Sequence, residues 1–206
     1  MSLPTQYRWR APFYDLELAA FEPWRHAGIV ALRLAPGEHV LDLGCGTGLS
    51  LALLERGVGP RGRITAVEPS GEMLERARRR VARQGWRNVE LLQAPAAEAA
   101  LRGQADAALF HFTHDILQDE AALRHVLAHL RPGARVAAVG LAWAPPWALL
   151  SNLFVLGAGL YSVSSLQGLD RPWAKLEALC GPLALRQPLP GGIFIASATL
   201  GHDRQE

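Results

Sequence analysis

The stretch Val40-Leu41-Asp42-Leu43-Gly44-Cys45-Gly46-Thr47-Gly48 reads as a strand that runs straight into a glycine loop. Val40, Leu41 and Leu43 supply the apolar strand faces, and Asp42 places a carboxylate at the strand's carboxyl end. Glycines at alternate positions let the backbone turn tightly and approach a ligand that a Cβ would push away. In open α/β sheets, ligands sit outside the carboxyl ends of the strands, so the loop predicts a binding floor. Its spacing also restricts the ligand. A dinucleotide fingerprint needs Gly-x-Gly-x-x-Gly, whereas here Gly48 comes one position early and Leu49 follows it.

Strand and helix signals alternate on both sides of this loop. A helix over 28–34 ends at the breaker Ala35-Pro36-Gly37. Strand 38–43, helix 47–56 and a turn at 57–62 follow, then strand 63–68 and a helix over 70–84 capped by Ser70. Strand 89–92, a short Ala-rich helix over 96–102 and strand 105–110 come next. Ala121, Leu123, Val126, Leu127 and Leu130 form the packed stripe of a helix over 119–130, ahead of strand 134–142. Asp170-Arg171-Pro172-Trp173 opens another helix, with Asp170 as cap and Pro172 in its first turn, and Gly181-Pro182 closes it. Strands 183–188 and 192–200 end the pattern, joined across Leu189-Pro190-Gly191-Gly192. Such alternation calls for a parallel sheet in an α/β fold, and 206 residues fit one domain spanning 1–206.

With these residues in view, the chain resembles the class I S-adenosylmethionine-dependent methyltransferases. Asp42, Gly44, Gly46 and Gly48 match the family's first motif, with Cys45 inside it, and Ile64-Thr65-Ala66-Val67-Glu68 matches the acidic end of the next strand. Pro69-Ser70-Gly71-Glu72-Met73-Leu74, Asp106-Ala107-Ala108-Leu109-Phe110 and Leu130-Arg131-Pro132-Gly133-Ala134-Arg135-Val136 match later segments, so the likeness covers roughly 28–142. It implies a Rossmann-like, doubly wound, seven-stranded sheet, mostly parallel with an antiparallel edge strand. It implies S-adenosyl-L-methionine as cofactor, with Asp42 and the glycine backbone holding the methionine part. Glu68 would accept hydrogen bonds from the two ribose hydroxyls, beside Pro69, and Met73 would pack at the adenine edge. Ala94, Ala96, Phe110 and His111 complete the expected cofactor contacts. The family often carries an Asp after strand three for the adenine amino group. Gln93-Ala94-Pro95-Ala96-Ala97-Glu98 stands there instead, leaving Gln93, a backbone group or packing to hold the adenine.

Two segments fall outside the alternation. Residues 1–27 are rich in rings, and Tyr14-Asp15-Leu16 is similar to the start of quinone and phospholipid methyltransferases, where this segment folds over the cofactor pocket. That likeness puts Tyr14 at the cofactor; a helix pinned to the sheet by its rings is the alternative. From Val136 to Leu169 there is no Asp, Glu, Lys or Arg. The run Trp147 to Leu166 has the length of a bilayer span, but Asn152 and the strand fused to its front argue against one. Residues 143–169 are therefore expected to cap the pocket as buried helices, or to dock peripherally on a membrane or partner.

Methyl transfer from a sulfonium is an in-line displacement that depends on alignment, with a base needed only where the acceptor loses a proton. His111, His114 and Asp115, just past strand four, are the catalytic candidates: either histidine could hold a proton at neutral pH, with Asp115 orienting it. Each histidine has a packing role as its alternative. Trp143 and Trp147 suit a clamp for a flat or cationic acceptor, or a hydrophobic hinge. His125 and His129 share a helix face but lack a third ligand nearby in sequence, so no metal is expected.

A formal net charge of +2 does not point to nucleic acid, and there is no Asn-Pro-Pro-Tyr-like motif or Pro-Cys pair for base methylation. Arg76, Arg78, Arg79, Arg80, Arg83 and Arg87 spread around one helix and read as a solvated face, with an anionic surface as the rival. Two isolated cysteines and an amino terminus without an apolar core predict a reducing, cytoplasmic setting. A small or lipid-like acceptor is the expected partner; the oligomeric state is left open. The rival readings are a nicotinamide-dependent dehydrogenase and a non-catalytic cofactor-binding module.

Overall fold

A computed structural model describes residues 21–162, 166–188 and 191–201. Fourteen elements follow in chain order: α1 (Glu22–Ala31), β1 (His39–Leu43), α2 (Leu51–Val58), β2 (Arg63–Val67), α3 (Gly71–Gln84), β3 (Val89–Leu92), β4 (Ala105–His111), α4 (His114–Leu117), α5 (Glu120–Ala128), β5 (Leu130–Leu141), α6 (Leu149–Ser162), α7 (Ala174–Cys180), β6 (Ala184–Arg186) and β7 (Ile193–Thr199). The strands form one seven-stranded sheet in the order β3-β2-β1-β4-β5-β7-β6. β1 to β5 pair in parallel, and β7 runs antiparallel to both β5 and β6. The reversed strand thus sits one place inside the edge, with the short β6 outside it.

The chain winds from β1 outward to β3, then returns to place β4 on the other side of β1. The crevice between β1 and β4 is the switch point where doubly wound sheets bind ligands. The glycine loop follows one of these strands and the segment from Phe112 to His114 follows the other.

Strand alternation decides which helices each side chain meets. Val40 of β1 and Ala107 and Leu109 of β4 share a core with Ile29 and Leu32 from the α1 region and with Leu51, Leu54 and Val58 of α2. Leu41, Leu43, Ala108 and Phe110 face the opposite layer, against Leu123 and Val126 of α5 and Leu176 of α7. Asp42 and His111 have the parity of the first set. Both lie on the α1 side of the sheet.

Several element limits differ from the sequence reading. The first helix begins at Glu22, inside the aromatic segment, with Pro23 in its first turn. The second begins at Leu51 because Thr47 to Ser50 complete the loop's turns. Residues 96–98 form a turn and no helix spans 96–102. Asp170 caps nothing: α7 starts at Ala174 after Trp173. The Leu-Arg-Pro-Gly segment lies within β5, where the register with β4 shifts between Ala105 and Ala107. The arginine-rich α3 buries Met73, Leu74 and Ala77, while Arg78, Arg79, Arg83 and Arg87 are exposed. The expected burial is not found at 147–156: α6 is one helix with Leu149, Leu150, Leu153 and Leu156 in solvent. No helix among the described residues is long and apolar enough to cross a membrane.

The helix ends show where local chemistry fixes the chain. Asp119 accepts from the amides of Ala121 (2.9 Å) and Ala122 (3.1 Å), closing the amino end of α5. Replacing Asp119 with Ala leaves both amides to water and costs about 1 kcal/mol. Urea denaturation of the two proteins measures that loss, and equal midpoints would contradict the capping role.

Candidate functional site

The loop after β1 is held from beneath. The Gly44 and Cys45 amides donate to the Val67 carbonyl (2.8 and 3.0 Å), and Arg80 of α3 donates to the Thr47 carbonyl at 3.1 Å. Gly44 has a left-handed φ of +71°, and a Cβ there would strike the Thr113 side chain. The loops after β1 and β4 therefore touch through a residue without a side chain. Gly46 is also left-handed, at +55°, but nothing lies within 4 Å of where its Cβ would be. Its amide is drawn down to a carboxylate, since Gly46 N–H donates to Glu68 Oε2 at 3.0 Å.

Glu68 ends the turn out of β2. Its second oxygen, Oε1, accepts from the Ser70 amide at 2.9 Å. Burial raises its pKa, and these two bonds to the charged form oppose the rise. The carboxylate is thus fixed beside an open glycine. Gln93 lies against Gly71, at the start of α3 on the same side.

Asp42 is more constrained still. It is 1% exposed, and its Oδ2 has no hydrogen-bond partner. Burial pushes its pKa up to about 7, Arg25 pulls it down and Glu68 pushes it up further. Arg25, from α1, is a buried guanidinium whose ion-pair partner among the described residues is Glu22. Arginine stays charged in proteins, and burying such a charge is costly without anionic partners. Asp42, Glu68 and Arg25 together make a site of mixed charge around an unfilled acceptor atom.

His111 completes the buried cluster. Its Nδ1 lies 3.0 Å from Ser50 Oγ, its Nε2 has no partner, and Gly28 lets α1 pack directly on that nitrogen. Ser50 is the cap residue of α2 yet makes no capping bond, because its hydroxyl is engaged with His111. Burial first, then Arg25, lowers His111 to about 3. At neutral pH the ring is therefore uncharged and too weak a base to remove a proton, which turns the sequence expectation for this residue towards packing and hydrogen bonding.

His114 offers a different arrangement. Its Nε2 lies 2.9 Å from the Gln167 carbonyl, which can only accept, so Nε2 carries the hydrogen. Nδ1 then presents a lone pair, and it is buried without a partner, as is Thr113 Oγ1. Between them and β4, Phe112 is held at a left-handed φ of +55°, rare for a bulky residue, with its ring edge-on to Phe21 at 5.0 Å. Backbone strain of this kind concentrates at functional sites.

The structure brings Asp42, the glycine loop, Glu68 and His111 to one crevice, with His114 on the segment beyond it. The remaining expected site residues differ in exposure and in the layer they face. Asp115 is exposed, and Phe110 is fully buried in the opposite core layer, where Ala96 is also buried and Ala94 packs. Met73 is buried at the start of α3 beside half-exposed Pro69, and the Cys45 side chain packs into the α1-side core, where burial raises its thiol pKa. Tyr14 lies outside the described residues. Trp143 packs near Val139 and Leu169, whereas Trp147 is exposed, so the two do not share one environment. His125 and His129 bond to the carbonyls of Ala99 and His125, and no metal-binding group of three occurs among the described residues. Sequence reasoning missed Arg25, Ser50 and Thr113. Only an arginine three residues before the helix expected at 28 hinted at the first.

Comparisons with known proteins agree with this geometry. Residues 40–133 match a family model described as a methyltransferase domain. A demethylmenaquinone methyltransferase of Symbiobacterium thermophilum is 39% identical over 74 residues, covering 35% of this chain and 29% of that protein. The chain spans less than a third of the length of the first curated relatives it matches. A SAM dependent methyltransferase from Aquifex aeolicus shares the fold with a TM-score of 0.58 at 20% identity, over 88% of this chain and 97% of its own. An rRNA methylase from Streptococcus thermophilus does so with a TM-score of 0.57 at 20% identity, over 86% and 95%.

The two buried titrating groups push stability in opposite directions with pH. Between the usual 3.8 and about 7, folded Asp42 keeps a proton the unfolded chain has lost, so stability falls as pH rises. Between about 3 and the usual 6.5, the unfolded chain holds the extra proton on His111, so stability rises with pH. Asp42→Asn removes the first effect alone. Its melting temperature will climb more steeply than that of the wild type between about pH 4.5 and 6.5; parallel curves would contradict this account.

Proposed function

We propose that this chain, which belongs to the class I S-adenosylmethionine-dependent methyltransferases, transfers a methyl group from S-adenosyl-L-methionine to a small hydrophobic, aromatic or lipid-like acceptor by in-line displacement. The observation that carries the reading is the pairing of Glu68 with the open Gly46, next to the unsatisfied Oδ2 of Asp42. These residues fit the cofactor's chemistry. Glu68 offers two carboxylate oxygens to a pair of ribose hydroxyls, and Asp42 Oδ2 is an acceptor for an ammonium. Arg25 supplies the positive charge that a carboxylate at the same end of the molecule needs.

When bound, the cofactor provides an electrophilic methyl on a sulfonium that leaves as a neutral thioether. The chain's own contribution is to align acceptor and methyl in the crevice between β1 and β4. Neutral His111 avoids setting a second positive charge beside the sulfonium, and Asp42 and Glu68 favour the cation. A cation beside Asp42 also favours its ionised form, so binding below about pH 7 releases a proton. The His114 Nδ1 lone pair and Thr113 Oγ1 are the buried polar atoms left for an acceptor hydroxyl or amine. His114 holds that group's proton at Nδ1 while Nε2 stays anchored to the Gln167 carbonyl. The absence of charged residues from Val136 to Leu169 favours an apolar acceptor over a charged one. The Symbiobacterium relative acts, by its name, on demethylmenaquinone, an acceptor that accords with that composition.

Thermal stabilisation by S-adenosylhomocysteine but not by NAD, followed by methyl transfer to a panel of quinol, phenol and lipid acceptors, tests the reading. Stabilisation by NAD alone would reverse it. Within that assay His114→Ala will lower kcat/KM by about 10²–10⁴-fold for an acceptor that loses a proton, while S-adenosylhomocysteine binds as before. Unchanged turnover in this variant would remove His114 from the chemistry.

A further inference from the structure

Among its described side chains, helix α6 is anchored along one side. Asn152 Oδ1 accepts from the Ala144 amide at 2.9 Å, and its Nδ2 donates to the Ala144 and Pro145 carbonyls, each at 3.3 Å. Val155, one turn on, is fully buried against β5 and β7. The other side is apolar and in solvent: Leu149 is 74% exposed, Leu150 84%, Leu153 65% and Phe154 47%, with Trp147 at 70% just before the helix. A helix that is apolar all round is normally buried, and an exposed apolar patch of this extent marks a covering partner. Helices that lie on lipid carry Lys or Arg on their polar face, and α6 has no charged residue at all.

We propose that residues 1–20 of this same chain cover that face. The point where the described chain begins favours this occupant. Phe21 stacks on Phe154 (centroids 6.0 Å apart, planes at 29°) and sets its ring against Phe112, so the described chain begins in contact with α6 itself. Their chemistry matches the face: Tyr7, Trp9, Phe13, Tyr14, Leu16 and Leu18 are apolar or aromatic. Reach is no obstacle, since α6 is only ~21 Å long and a strand of this length extends several times further. The covering strap would complete an apolar wall beside Phe112, next to the crevice. This inference stands on the α6 surface and does not depend on the methyltransferase reading.

Trypsin sites at Arg8 and Arg10 give a direct readout in the full chain. Cleavage there, followed by mass spectrometry, will be about tenfold slower in the wild type than in a Leu150→Glu/Leu153→Glu variant of unchanged circular dichroism. As a second measurement, α6 amides will exchange about tenfold faster in a chain lacking residues 2–20 than in the full chain. Equal cleavage in both proteins, or α6 exchange indifferent to the deletion, overturns the proposal. So does a dimer by light scattering that the double variant breaks without exposing Arg8 and Arg10, which would assign the face to a second copy. Protection of α6 that appears only with phosphatidylglycerol vesicles would likewise overturn it in favour of lipid.

Discussion

The site depends on the two-residue period of a β-strand. Because Asp42 and His111 share parity with Val40 and Leu109, both polar side chains enter the layer under α1, where apolar residues otherwise pack. Their burial makes Asp42 a weak acid and His111 a weak base. Arg25 enters the same layer from α1 and acts on both. A slip of one residue in either strand would turn these groups to the opposite layer and leave the crevice without its charges.

From this constraint the rest of the site follows. The chain reverses its direction of winding between β1 and β4, so the loops after these strands meet at Gly44 and Thr113. The loop after β1 curls back onto β2 through the Val67 carbonyl and the Glu68 carboxylate. The rigid sheet thereby holds a carboxylate, an open glycine and an unfilled acceptor atom in one place before any ligand arrives. Such preorganisation is what an alignment-driven reaction needs. The uncommitted His114 Nδ1 lies on the next segment, on a ring whose Nε2 is tied to the Gln167 carbonyl from the chain beyond α6.

Much of the fold was legible in the sequence because the strands are short apolar runs bounded by glycine and proline, and their alternation with helices admits few topologies. The limits of helices were less legible. Ser50 looks like an interior helix residue until its hydroxyl is seen on His111, and Asp170 looks like a cap until the helix starts four residues later. The grouping of Asp42, the glycines and Glu68 at one crevice could be read, since a carboxylate after a strand and glycines at fixed spacing are local signals. Arg25 and Thr113 could not be read so, because their meaning arises from contacts across the sheet. Phe110 shows the converse: adjacent to His111 in sequence, it belongs to the other layer by parity. The α6 segment misled for a physical reason, since an uncharged helix reads as buried whether or not the described chain covers it.

The central claim is that Glu68, fixed beside Gly46, grips the ribose of an adenosyl amino acid. Isothermal titration of S-adenosylhomocysteine into the wild type and Glu68→Ala proteins tests it most directly. Saturable binding to the wild type that weakens by about tenfold or more in the variant is the predicted result, as expected for losing charge-assisted hydrogen bonds. No heat of binding to the wild type, or equal affinity in both proteins, would contradict it.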